Sequence, residues 1–196
     1  KGASAQIDTT IAVVALDEAG TIVASQIDVA QQKVAFDLEG VAGETDLRTK
    51  TEKEFDYNMV TYGGAVKEWF EQVNAFETWM NGKTVADVTG MEFAENSHGY
   101  TDTPADEDLK ASCTISMTAF LDAIKEAHET AVEVTGLATA GLGSDVTATV
   151  AAAEDEETEG SAQVNSSWAA VALDEAGNIV WAKIDTAQQS TKWDVT

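Results

Sequence analysis

Apolar and polar positions along this chain follow two different periods. Ile11 to Leu16 and Ile22 to Ile27 are rich in Val and Ile and flank Asp17-Glu18-Ala19-Gly20, where glycine supplies the positive φ of a tight turn. That stretch predicts a β-hairpin, and the Gln-Gln pair after it leads into Val34-Ala35-Phe36, which reads as a third short strand. Further on, Val66, Trp69, Phe70, Val73, Phe76, Trp79 and Met80 recur at three and four, the stripe of an amphipathic helix that closes before Gly82. Thr84 to Val88 predicts a short helical turn, and Cys113-Thr114-Ile115-Ser116 a brief strand. Met117, Phe120, Leu121, Ile124, Ala127 and Ala131 then predict a second helix from about Met117 to Val134, broken by Gly136, Gly141 and Gly143. Asp145 to Val150 alternates like a strand.

The hairpin pattern occurs twice. Val14 to Asp37 matches Val171 to Asp194 at a constant offset of 157 positions, with 15 of 24 residues identical. Each copy predicts one hairpin, with Thr191-Lys192-Trp193 answering Val34-Ala35-Phe36. Leu16/Leu173, Ile22/Ile179 and Ile27/Ile184 hold the register, because a slip of one residue would turn them all to the other face. The expectation is two superposable hairpins related by an approximate twofold, with Phe36 and Trp193 in equivalent surroundings.

Strands, then helices, then strands, with antiparallel pairing implied by the hairpins, define the fold class: α+β, with two main helices packed on antiparallel sheet and an internal repeat of the hairpin unit. Residues 1–136 form a first α+β unit, and residues 137–196 bring the second copy of the hairpin. No helical pattern follows Trp193, so the second copy is expected to pack on the first as one compact body.

Composition narrows the function classes. Thirty-five acids against 11 bases give a net charge of −24, a field that repels nucleic-acid backbones and anionic lipid. One cysteine, Cys113, makes neither an internal disulfide nor a cysteine-rich metal site, and two histidines make no His-rich one. No stretch reaches the roughly 20 apolar residues of a membrane span, and the opening Lys1-Gly2-Ala3-Ser4 lacks the apolar core of a signal peptide. Neither a nucleophile elbow, a glycine-rich phosphate loop nor a zinc-protease motif is present.

The remaining chemistry-bearing residues are few. Asp17-Glu18 and Asp174-Glu175 read as turn formers, not as a calcium loop, whose carboxylates would be spaced. Glu154-Asp155-Glu156-Glu157 with Glu159 reads as a solvated acidic connection. His128 shares a helix face with Phe120 and Ile124 and reads as an edge-of-core residue, whereas His98 lies in a polar loop and reads as a surface residue. The rings of Trp69, Phe70, Phe76 and Trp79 read as core, with stacking of an aromatic ligand the alternative.

One segment carries a resemblance. Asp108-Leu109-Lys110-Ala111-Ser112-Cys113-Thr114-Ile115-Ser116, continued by Ala119-Phe120-Leu121-Asp122-Ala123-Ile124, resembles the end of the bacterial FMN-binding domain of surface lipoproteins and redox-complex subunits. In that family an Asp stands six residues before a Thr that carries FMN through a phosphoester bond, and an Ala-rich helix comes next. The resemblance therefore implies Thr114 as acceptor, Asp108 as its motif partner, covalent FMN as cofactor, and a flavin transferase and cell-surface redox proteins as partners. This chain departs from the motif at Ala111, Ser112 and Cys113, where the family usually has Ser or Thr, Gly or Ala, and Ala. The wider plan, with Glu68-Trp69-Phe70-Glu71 and Gly82-Lys83-Thr84-Val85, is similar to repeat-bearing surface proteins of gut Firmicutes. The resemblance implies a bacterial extracellular or cell-surface protein, its signal segment absent from this chain, inert as an enzyme on its own. Such a protein is either a flavin-carrying electron-transfer module or a structural or ligand-binding module that has lost the flavin. A small-molecule binder using the groove between the two copies is a third reading.

Overall fold

The computed structural model describes residues 4–35, 43–152 and 159–193, and the architecture is mixed α+β with antiparallel sheets. Strand β1 (Ser4–Leu16) pairs with β2 (Ile22–Ala35) as a long hairpin. Five short or medium helices come next: α1 (Lys50–Lys53), α2 (Met59–Gly63), α3 (Trp69–Met80), α4 (Val85–Thr89) and α5 (Glu107–Lys110). A 3-10 turn, Glu54–Tyr57, lies between α1 and α2, and the two-residue strands β3 (Phe93–Ala94) and β4 (Thr103–Pro104) pair between α4 and α5. Helix α6 (Thr118–Glu129) precedes the three-stranded sheet of β5 (Thr139–Ala151), β6 (Gly160–Leu173) and β7 (Ile179–Trp193), in which β6 is central.

Three layers result. Helices α3, α4 and α6 pack on one face of the first hairpin around Ile22, Ile27, Val73, Phe76, Met80, Phe120 and Ile124. The other face of that hairpin meets the three-stranded sheet, where Ala30, Ile7 and Ile11 contact Val146, Val164 and Trp168, and Val34 meets Ala162. A half-buried hairpin would alternate apolar and polar residues. β2 departs from that alternation because both of its faces are covered: Ile27 and Val29 serve the helices, Ala30 and Val34 the sheet.

The turns are built alike. Asp17 Oδ1 accepts the N–H groups of Ala19 and Thr21 at 2.9 and 2.8 Å, and Asp174 Oδ1 those of Ala176 and Asn178 at 2.9 and 2.8 Å. Gly20 and Gly177 supply φ of +79° and +83°. These carboxylates bond backbone, as turn formers do. The pairing also agrees: Ser4↔Ala35 and Leu16↔Ile22 in the first hairpin stand 157 positions from Ser161↔Lys192 and Leu173↔Ile179 in the second, and both shift register at the last pair.

Several expected boundaries are corrected. The chain does not turn at the Gln-Gln pair into a third strand: β2 and β7 run straight through it. Gln32 is buried in β2, and its Nε2 donates to the Leu47 carbonyl at 3.2 Å, so a polar side chain is held inside the layer by the loop beyond. Phe36 and the acids Glu154 to Glu157 lie outside the described residues, whereas Glu159 forms an ion pair with Lys192. Cys113 to Ser116 is irregular loop, not strand, because the Thr114 N–H bonds a side chain and not a neighbouring strand. Helix α6 stops at Glu129: Thr130 turns its hydroxyl back onto the Glu126 carbonyl at 3.0 Å, and the β-branched Val132 and Val134 come after it. Gly141 and Gly143 lie inside β5, which starts well before Asp145.

Candidate functional site

The loop that carries Thr114 is fixed from both sides. Gln72, fully buried on α3, donates from Nε2 to the Lys67 carbonyl at 2.8 Å and accepts the Thr114 N–H on Oε1, also at 2.8 Å. The Thr114 hydroxyl faces the same Oε1 at 3.4 Å, and the Thr114 carbonyl accepts from Asn96 Nδ2 at 2.9 Å. An isolated amide in a core is costly, and here both ends of the Gln72 side chain are used to hold the loop.

Asp102 does the same for the next residues. Its carboxylate accepts the Thr118 hydroxyl at 2.6 Å, the Thr118 N–H at 3.3 Å and the Ser116 hydroxyl, and so caps the first turn of α6. Burial pushes the Asp102 carboxyl up, but the bonds from Ser116 and Thr118 outweigh it and hold it below the ordinary carboxylate range. Ile115 and Cys113 point inward, and Cys113 Sγ sits 4.0 Å from Met117 Sδ. Burial pushes the Cys113 thiol up to about 11, so it is neither ionised nor nucleophilic near neutral pH.

The second residue of the expected pair stands apart from this network. Asp108 is exposed in the first turn of α5, where its N–H donates to Asp106 Oδ1 at 3.1 Å. Of the nearby cations, Lys67 Nζ bonds Ser112 Oγ at 3.1 Å, and Lys110 pairs with Glu107. The Thr114 hydroxyl turns toward a buried amide, and the side chain beside it, Cys113, is fully enclosed.

Two cavities lie elsewhere. One, of about 380 Å³, is an open groove beside Trp79, Lys83, Asp87, Met91 and Asp106, with Lys83 Nζ over the Trp79 ring at 4.5 Å. The other, of about 110 Å³, lies between α3, β2 and the three-stranded sheet and is bordered by Asp28, Asn74, Glu77 and Trp168. Glu77 Oε1 accepts the Ile27 N–H at 2.6 Å there, and burial, helped by the charge of Asp28, pushes its carboxyl up to about 7 against that bond. Neither cavity borders Thr114.

Of the aromatic stripe of α3, Trp69 and Phe76 are core and both rings contact Phe120, whereas Phe70 and Trp79 are half-buried and Trp79 borders the open groove. His98 is exposed, as expected of a loop residue. His128 is also exposed, a correction: it falls in the last turn of α6, beyond Phe120, Leu121 and Ile124, the buried residues of that helix. Among the described residues no group of His, Cys, Asp and Glu is placed to hold a metal ion, and no helix is long and apolar enough to cross a membrane.

What sequence reasoning missed is a surface. Ile22 and Ile27 have 0% and 3% of their surface exposed, while their counterparts Ile179 and Ile184 have 65% and 75% exposed. Val180, at the register shift, is exposed as its counterpart Val23 is on the first hairpin. A scan against protein-family models finds no match for this chain, and neither does a search of curated proteins or of solved structures.

Proposed function

We propose that the chain is a non-enzymatic structural and binding module of a bacterial cell surface that works through a sheet face and not through a cavity. The observation that carries this reading is the pair Ile179 and Ile184, large apolar side chains standing in solvent at the end of a regular β-sheet. Clustered exposed hydrophobes with a polar rim mark interaction sites, and this cluster ends at the hydroxyls of Ser167 and Thr186, 3.0 Å apart. The polar network around Thr114, by contrast, spends its groups on structure.

The test replaces both residues, Ile179→Asp with Ile184→Asp. Neither is buried, so stability should fall by no more than about 2 kcal/mol, the loss of strand propensity at two positions, while binding of a hydrophobic dye should fall to background. The matched pair Ile22→Asp with Ile27→Asp should unfold the chain, because charges would then sit in the core. Unfolding of the Ile179/Ile184 variant would show that this face belongs to the folded core and would remove the reading.

A second reading, a flavin carrier with FMN esterified to Thr114, has one observation in its favour: Thr114 is half-buried in irregular loop, which a modifying enzyme reaches more readily than a strand. Its test is the intact mass of the chain after co-expression with an active flavin transferase.

A further inference from the structure

We infer that the outer face of the three-stranded sheet is a docking site for a helical layer built like α3 to α6, carried by a partner segment with the same aromatic stripe. This rests on the reading of that face as a binding surface, and it adds the occupant.

The first hairpin shows what covers such a face. Its helix-facing positions are Ala12, Val14, Leu16, Ile22 and Ile27. The residues at the same positions of the second hairpin are Ala169, Val171, Leu173, Ile179 and Ile184, identical at all five. The pairings place them alike, since Ala12 lies opposite Ile27 and Ala169 opposite Ile184. The inner faces of the two hairpins meet each other, so in each the same five residues look outward. On the first hairpin Val73, Phe76, Met80 and Ile124 bury Ile22 and Ile27, whereas on the second Ile179 and Ile184 lie open beside half-buried Ala169, Val171 and Leu173.

Backbone groups repeat the argument. The edge of β2 is closed by the segment that ends α3: Ile22 N–H donates to the Lys83 carbonyl at 2.8 Å, Gly82 N–H to the Ile22 carbonyl at 2.9 Å, and Thr21 bridges to Thr84. Ile27 N–H finds Glu77. β7 is likewise an edge strand, and it presents Ile179 and Ile184 at the positions where those bonds are made. A long edge with exposed isoleucines invites a partner that supplies both apolar contact and strand-like hydrogen bonds, and the Gly82-Lys83-Thr84 build supplies the second. On the far flank Gly141 and Gly143 lie opposite Val171 and Ala169 and carry no side chain, which leaves room for a helix in the place that α6 takes on β1. The match stops where Val29 of the first hairpin gives way to Thr186, so the docked layer ends one pair beyond Ile184. A second copy of this chain does not offer the layer, because its own α3 to α6 already sit on Ile22 and Ile27.

The experiment extends the full chain by a second helical layer. Residues 40–136 are appended directly after Thr196, which keeps the spacing of the first unit, and Ile184→Cys reports on the face. In the unextended chain the thiol should react freely with a bulky maleimide. In the extended chain its labelling should slow by about 100-fold and the amides of Ile179 to Thr186 should gain similar protection. Adding Phe→Ala at the appended copy of Phe76 should return labelling to the free rate. Unchanged labelling in the extended chain overturns the assigned occupant. So does an unextended chain that is already dimeric, with the thiol shielded and released by Ile179→Asp, for then the occupant is a second copy. Both results leave the binding-surface reading standing, which falls only if Ile179→Asp with Ile184→Asp unfolds the molecule.

Discussion

Glu77 joins the helical layer to the first hairpin through one oxygen, 2.6 Å from the Ile27 N–H, and the pH dependence of that joint can be worked out. Burial raises the carboxyl from 4.5 to about 7, with Asp28 adding to the rise and the Ile27 bond opposing it. An acid whose pKa is higher in the folded state than in the unfolded one contributes stability that is complete below the unfolded value and is lost as pH rises through the folded value. The window therefore runs from about 4.5 to about 7. At 1.36 kcal/mol per unit the shift has an upper limit of about 3 kcal/mol, and partial contact with solvent brings the expected loss to about 1–3 kcal/mol. Glu77→Gln keeps an oxygen for Ile27 and carries no charge to desolvate. Urea unfolding of both proteins at intervals from pH 5 to 8.5 is the assay. The variant should gain on the wild type by that amount as pH rises. Asp46, Asp87, Asp102, Asp106 and Asp174 are held below the usual carboxylate range, so what they contribute is present throughout this window and is lost only in stronger acid. A difference between the two proteins that stays constant from pH 5 to 8.5, or turns in favour of the wild type, would refute the reasoning.

Two further outcomes are expected. Deleting residues 160–196 removes Ala162, Val164 and Trp168 from the inner layer and leaves Ala30, Ile7 and Val34 uncovered, so the shortened chain should aggregate or lose its cooperative melt; a monomer with an unchanged melt would show the second hairpin to be an appendage. Co-expression with an active flavin transferase should leave the intact mass unchanged, and Thr114→Ala should melt within about 1 kcal/mol of the wild type because the backbone N–H still reaches Gln72; an FMN adduct on the wild type that Thr114→Ala abolishes and Cys113→Ala increases would establish the flavin carrier instead.

The elements legible in the sequence are those whose burial is one-sided. The stripe from Trp69 to Met80 reads as a helix because only one of its faces meets the hairpin, and Asp17 to Gly20 reads as a turn because its chemistry is local. β2 is legible only as far as Ile27, since beyond it apolar residues serve two layers and Gln32 is buried among them. The stretch from Lys50 to Gly63 has no period because its short helices are held by caps: Thr49 with Glu52, and the Glu68 carboxylate on the Met59 N–H at 2.7 Å. The loop at Thr114 is misread as a strand for a related reason. β-branched Thr114 and Ile115 suit a strand, but the buried amide that fixes them comes from Gln72, 42 positions away, and nothing in the local run announces it.

Burial itself is the quantity a local pattern cannot assign. Val14 to Asp37 and Val171 to Asp194 share turn, register and five outward apolar positions, yet Ile27 is core and Ile184 is surface. Pattern specifies which side chains share a face, because the strand period is two and the turn fixes the register. Whether that face is covered depends on what the rest of the polypeptide brings to it. For the first hairpin the answer is α3 to α6, which lay Val73, Phe76, Met80, Phe120 and Ile124 against it. For the second, no helix among the described residues covers Ile179 and Ile184. Ile179 and Ile184 therefore carry the chemistry of Ile22 and Ile27 without their cover, and burial on each hairpin is set by its neighbours and not by its own pattern.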